Sequence, residues 1–85
     1  DNPVTADDIV LTDAFLAPGY GRVSDGTRDA ISLAARHESL LVDPVYTGKV
    51  MAATLKRATE TDATIVFVHT GGTPALFAYQ QELAE

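Results

Sequence analysis

The chain has no cysteine, few cations and no long apolar run, and each shortage removes a class of function. Without cysteine there is no disulfide and no thiolate metal site. The two histidines, His37 and His69, lie far apart and make a poor ligand pair, so no metal site is expected. Six Lys and Arg are scattered among twelve Asp and Glu, for a net charge of −6. Nucleic-acid binding needs a basic stripe that displaces counterions, and these residues do not form one. No run approaches the ~18–20 apolar residues of a membrane span. The start, DNPVTADDIV, is acidic, lacks signal-peptide character and does not begin with Met. A cytoplasmic chain, excised or incomplete, is the expectation.

Eighty-five residues that are 46% hydrophobic and 21% charged suit one small domain rather than a disordered segment. A chain of this length buries roughly 60–65% of its unfolded surface, enough for one modest core. No repeat or low-complexity tract is present. Residues 1–8 are polar and read as loose. Residues 9–16, IVLTDAFL, have the length and composition of a strand. APGYGRVSDG, residues 17–26, holds three Gly and a Pro and reads as a loop. Ser24 or Asp25 can cap a helix running to about His37, with Ala30, Leu33, Ala34 and His37 on one face.

A short apolar run, LLV at 40–42, leads into DPVYTGK at 43–49. A second helix is predicted over about 48–58, burying Val50, Met51, Thr54 and Leu55, with Lys56 and Arg57 where the dipole favours cations. IVFVH at 65–69 is the clearest strand, apolar on both faces as a central parallel strand would be. HTGGTP at 69–74 then turns into a last helix over about 74–83, with Pro74 in its first turn and Thr73 as cap. The alternation predicts a single α/β segment over 1–85, its parallel strands alternating with helices. Ligands in such folds sit at the carboxyl ends of strands. Three connections hold that position, PGYG (18–21), DPVYTGK and HTGGTP, and are expected to converge on one rim.

Local chemistry leaves each connection open. HTGGTP places Gly71 and Gly72 before a helix and suits either an anion cradle or a tight turn; it has neither Walker A nor G-x-G-x-x-G spacing. The Tyr46 phenol needs a neighbouring cation or cofactor to act as a base. Lys49 suits a Schiff base if desolvated, and equally a surface lysine. Asp43 before Pro44 reads as a turn former. Tyr20, between two glycines, is either a stacking residue or a pin for its loop. His69 reads as a satisfied buried histidine, and Tyr79 as packing.

GYGRVSDGTRDAISLAARHESLLVDPVYTGKVMAATL followed by IVFVHTGGTPALFAY resembles the group of D-cysteine desulfhydrases and 1-aminocyclopropane-1-carboxylate deaminases. The resemblance runs from about Val10 to Tyr79 and rests on the combination of GYG, DPVYTGK and HTGG-PALF. It implies the C-terminal part of a pyridoxal-phosphate enzyme of the tryptophan synthase β-like fold (fold type II). Tyr46 matches the tyrosine facing the substrate beside the cofactor, an acid/base or nucleophile in the deaminase branch. Tyr20 matches a second active-site tyrosine. Thr70 matches the position near the pyridine nitrogen, where a neutral hydroxyl tempers the ring as an electron sink. Gly71 falls in the same cofactor-binding stretch.

Deaminases of this group read DPVYEGK and HLGG, whereas this chain has Thr47 and Thr70. The resemblance therefore points to the desulfhydrase branch, with Thr47 beside Tyr20 in substrate binding. The implied reaction is α,β-elimination of D-cysteine to pyruvate, hydrogen sulfide and ammonia. Full members are several times longer, and their Schiff-base lysine and phosphate loop lie upstream of the matched segment. Lys49 does not match that lysine. An isolated chain is therefore expected to be inactive and to need either the N-terminal part or self-association. The alternatives are a 1-aminocyclopropane-1-carboxylate deaminase, a non-catalytic phosphate- or nucleotide-binding module built on HTGGTP, and a truncated remnant.

Overall fold

The computed structural model describes residues 3–84. Two helices carry it: α1, Asp25–Glu38, and α2, Thr47–Ala58. The Ser24 hydroxyl caps α1 by accepting the Thr27 N–H at 3.1 Å. Ser39, with a left-handed φ of 53°, ends that helix, and the Ser39 N–H donates back to the Ala35 carbonyl. Two shorter pieces follow, α3, Ala75–Ala78, and α4, Gln80–Leu83, separated at Tyr79. The last helix predicted from the sequence is thus broken in its middle, and its N-cap is Pro74 rather than Thr73.

The core lies where α1 meets α2. It consists of Ala30, Ile31, Ala34, Val42 and Met51, with Leu40, Ala52, Phe67, Leu76 and Leu83 packed around it. Burying Ile31, Val42 and Met51 contributes roughly 1.5–3 kcal/mol each. The buried face of α1 is Thr27, Ala30, Ile31 and Ala34, a clean i, i+3, i+4, i+7 set. Leu33 and His37, expected on that face, are exposed. On α2 the buried residues are Thr47, Gly48, Lys49 and Met51, while Val50 and Leu55 lie outside. Gly48 explains why the first turn comes in so close. A Cβ there would stand 2.3 Å from the Asp43 carbonyl oxygen and 3.0 Å from Ile31.

The α/β expectation is corrected: among the described residues there is no strand and no sheet. Parallel strands alternating with helices, the core of a tryptophan synthase β-like arrangement, are not what these residues form. Residues 9–16, 40–42 and 65–69 run without a ladder hydrogen bond between them. An apolar run becomes a strand only when a second segment pairs with it through backbone hydrogen bonds, and none does so among the described residues. IVFVH, expected to be buried on both faces, holds only Phe67 against the core, with Val66 81% and Val68 67% exposed.

Of residues 1–8, expected to be loose, the first two lie outside the described residues. Ala6–Asp8 form a 3-10 turn in which the Thr5 N–H donates to the Asp8 carboxylate at 2.8 Å. No helix among the described residues is long and apolar enough to cross a membrane.

Candidate active site

Asp43 organises the site. It is fully buried, and its carboxylate accepts the backbone N–H groups of Val45, Tyr46 and Thr47 at 2.8, 2.7 and 2.9 Å. These are the amides that lead into α2 and the first of the helix itself, and none of them has an intrahelical partner. The Thr47 hydroxyl adds a fourth bond at 2.6 Å. Burial pushes this carboxyl up, but the bonds from the Thr47 hydroxyl and the Thr47, Tyr46 and Val45 amides outweigh it. Asp43 is held below the ordinary carboxylate value. The turn-forming role expected for this residue is therefore present, on a larger scale than one turn.

HTGGTP packs directly on this carboxylate. Gly72 adopts φ +86°, and a Cβ on it would stand 2.6 Å from Asp43 Oδ1. The Gly71 carbonyl lies 3.5 Å from the Thr47 hydroxyl. His69 ties the same stretch to the chain before Asp43: its Nε2 donates to the Leu41 carbonyl at 2.8 Å, and its Nδ1 accepts the Gly71 N–H at 3.1 Å. These two partners suit the Nε2–H tautomer. His69 is satisfied, as expected, but it is exposed rather than buried.

The GYG loop arrives from the other side. Lys49, expected among surface lysines, is only 6% exposed, and its ammonium donates to the carbonyls of Gly19 at 2.8 Å and Leu16 at 3.3 Å. Tyr79 does more than pack, since its hydroxyl donates to the Gly21 carbonyl. Held at both ends, the loop brings the Tyr20 hydroxyl to 2.6 Å from the Tyr46 hydroxyl, with the rings edge-on and their centroids 6.0 Å apart. Tyr46 is pushed above the ordinary phenol value, first by the hydrogen bond with Tyr20. The charge Tyr20 would carry, partial burial and the Asp43 carboxylate act in the same direction. At neutral pH Tyr46 therefore holds its proton.

The three connections do converge, without a sheet beneath them. Tyr20 and Tyr46 meet with their hydroxyls together and their rings exposed. Thr47 stands apart from this pair: it is buried, and its hydroxyl is spent on Asp43. Gly71 joins the Asp43 side through its amide and carbonyl. Thr70 is exposed, and its hydroxyl has no hydrogen-bond partner among the described residues. Lys49 and Tyr79 were not foreseen as latches. Helix periodicity carries no signal for either, because the loop that each one holds is remote in sequence.

Pyridoxal phosphate asks for an amine, a phosphate cradle and a partner for its ring nitrogen. Among the described residues only the last is on offer, in the free Thr70 hydroxyl. The chain has two lysines. Lys49 is held by two carbonyls, and Lys56 sits at the exposed end of α2, 3.5 Å from Glu60. HTGGTP leads into a helix of four residues, and the Gly71 amide is already engaged. These residues do not fit covalent attachment of the cofactor on their own. No cluster of three or more His, Asp or Glu suited to a metal ion occurs among the described residues. No family model matches the chain.

Proposed function

We propose that the chain supplies the tyrosine-bearing side of the site in a D-cysteine desulfhydrase-like pyridoxal-phosphate lyase. In this reading the Schiff-base lysine comes from polypeptide outside these 85 residues, and the isolated chain is inactive. One observation carries it. Tyr20 and Tyr46, 26 residues apart, are the two tyrosines that the resemblance assigns to one substrate-facing site, and their hydroxyls stand 2.6 Å from each other. The substrate is a small amino acid, converted with water to pyruvate, hydrogen sulfide and ammonia. A neutral phenol at Tyr46 serves as a proton donor to that substrate, and Tyr20 is the neighbour able to return the proton. General acid catalysis of this kind is worth about 10²–10⁴-fold. Thr70 is the residue offered to the cofactor ring. Thr47 acts on the substrate side through the position of Tyr46, whose backbone shares the Asp43 carboxylate with it. A cytoplasmic setting goes with this reading.

The test is turnover by the natural polypeptide that carries this segment. With pyridoxal phosphate and D-cysteine it should release pyruvate and sulfide, and Tyr46→Phe should lower kcat by about 10²–10⁴-fold. Turnover of 1-aminocyclopropane-1-carboxylate in preference to D-cysteine would move the assignment to the deaminase branch. No turnover of either, with thermal stabilisation by nucleotides, would overturn the lyase reading.

A further inference from the structure

Neither ring of the tyrosine pair is held by packing: Tyr20 is 79% and Tyr46 53% exposed. Their 2.6 Å contact must therefore be set by the backbone that carries them. Tyr46 is fixed by its N–H on the Asp43 carboxylate, at the start of α2. Tyr20 rides on the loop after Leu16, which two side chains hold, Lys49 at Leu16 and Gly19 and Tyr79 at Gly21.

Lys49 is costly where it stands. Its ammonium is buried and has no carboxylate within ion-pair distance among the described residues. It also lies in the first turn of a helix, where the dipole disfavours a cation. Burying an unpaired charge is unfavourable unless hydrogen bonds offset it, and here the carbonyls of Leu16 and Gly19 do so. An apolar residue would fill the position without that penalty but could not grip the loop.

We propose that Lys49 is the positioning residue of the tyrosine pair: its ammonium clamps the Leu16 and Gly19 carbonyls and so sets the Tyr20 hydroxyl against that of Tyr46. Lys49 follows Tyr46 by three residues. The helix that one tyrosine caps thus also carries the tether for the other, and their separation is set within one helical turn. The catalytic meaning of the clamp rests on the lyase reading, but the clamp itself does not. It is therefore tested on the tyrosines and not on turnover.

Photo-oxidation of the dilute chain should yield an intramolecular Tyr20–Tyr46 dityrosine, located by peptide mass mapping. Lys49→Met keeps the stem and removes the donors. It should lower that yield roughly tenfold, the population change expected from losing a charge-assisted hydrogen bond, while the helical circular dichroism is retained. Lys49→Arg keeps the charge and the donors and should restore most of the yield. An unchanged yield in a folded Lys49→Met chain overturns the proposal. Should Lys49→Met unfold, the unaltered chain decides by nitrogen-15 NMR of its two lysine ammonium groups. Slow hydrogen exchange at Lys49 Nζ, against fast exchange at Lys56, supports the clamp, and equally fast exchange at both overturns it. A linked tyrosine pair in a protein that does not turn over D-cysteine would leave the clamp standing and remove only the lyase reading.

Discussion

Asp43 and Thr47 bind each other three times: the Asp43 N–H donates to the Thr47 hydroxyl at 2.8 Å, and that hydroxyl and the Thr47 N–H donate to Asp43 Oδ1 at 2.6 and 2.9 Å. Both residues are fully buried. The pair closes the turn DPVYT on itself before α2 begins, and the other candidate residues are arranged around it. Tyr46 takes its backbone position from Asp43, and HTGGTP is seated on the same carboxylate.

Asp43→Ala should destabilise the fold by about 2–4 kcal/mol, because it leaves buried backbone donors and a hydroxyl without their acceptor. Urea denaturation followed by helical circular dichroism measures this. A loss below about 0.5 kcal/mol would mean that water replaces the carboxylate freely. Asp43→Asn keeps one acceptor oxygen and should lose less.

Acid should act through the same carboxylate. An unfolded Asp titrates near about 3.9, and Asp43 in the folded chain titrates lower. The folded state then binds fewer protons than the unfolded state in this window. The stabilisation is complete above the unfolded value and is lost as pH falls through the folded value beneath it. The melting temperature should drop more steeply with acid in the unaltered chain than in Asp43→Asn. Parallel pH profiles would exclude Asp43 as a source of the acid sensitivity.

Gly72→Ala should destabilise by about 1–3 kcal/mol, since it combines a positive φ with a methyl group aimed at a buried carboxylate. The same substitution at Gly19, where a Cβ would meet nothing within 4 Å, isolates the cost of positive φ alone. Equal losses at the two positions would show that the contact with Asp43 adds nothing.

Local signals were legible where they act locally. Ser24 as cap, the extent of α1 and α2, and Asp43 as turn former could all be read from neighbours in the chain. The helix faces were legible only in part. Ala30, Ala34 and Met51 point inward as expected, but Leu33 and Leu55 line grooves that nothing among the described residues fills. IVFVH misled for a physical reason. Apolar character states that a segment gains by burial, not that a partner is present to bury it. Lys49 misled in the opposite sense, because a lysine is buried only when remote carbonyls are brought to it. The meeting of the three connections was expected at the carboxyl ends of parallel strands, and among the described residues it occurs without any strand.

Tyr46 should titrate above an ordinary phenol in a spectrophotometric or carbon-13 NMR titration. Tyr20→Phe removes the largest cause of the shift and should bring it back down. Because the folded phenol holds its proton longer, its contribution to stability is full below the unfolded value near about 10. That contribution is lost as pH rises through the folded value. No change on Tyr20→Phe would mean that the two hydroxyls are not hydrogen-bonded in solution.

The accessible surface bears on association. It is 6453 Å², whereas a compact monomer of 9.0 kDa exposes about 4,900 Å². The radius of gyration is 14.0 Å, against about 12 Å for a compact chain of this length. Much of the excess is apolar and lies in unpaired extended backbone: Val10, Leu11, Val66 and Val68 are all strongly exposed. Unpaired backbone beside apolar side chains invites pairing with another chain, and the excess area is more than the roughly 800 Å² that each partner gives to a standard protein interface. Sedimentation of the isolated chain should therefore reveal concentration-dependent association. Val66→Lys combined with Val68→Lys should shift it toward monomer without loss of helix, since neither side chain belongs to the core. A wild-type chain that stays monomeric at high concentration and melts cooperatively would mean that α1, α2 and their small core suffice, and that these segments remain solvated.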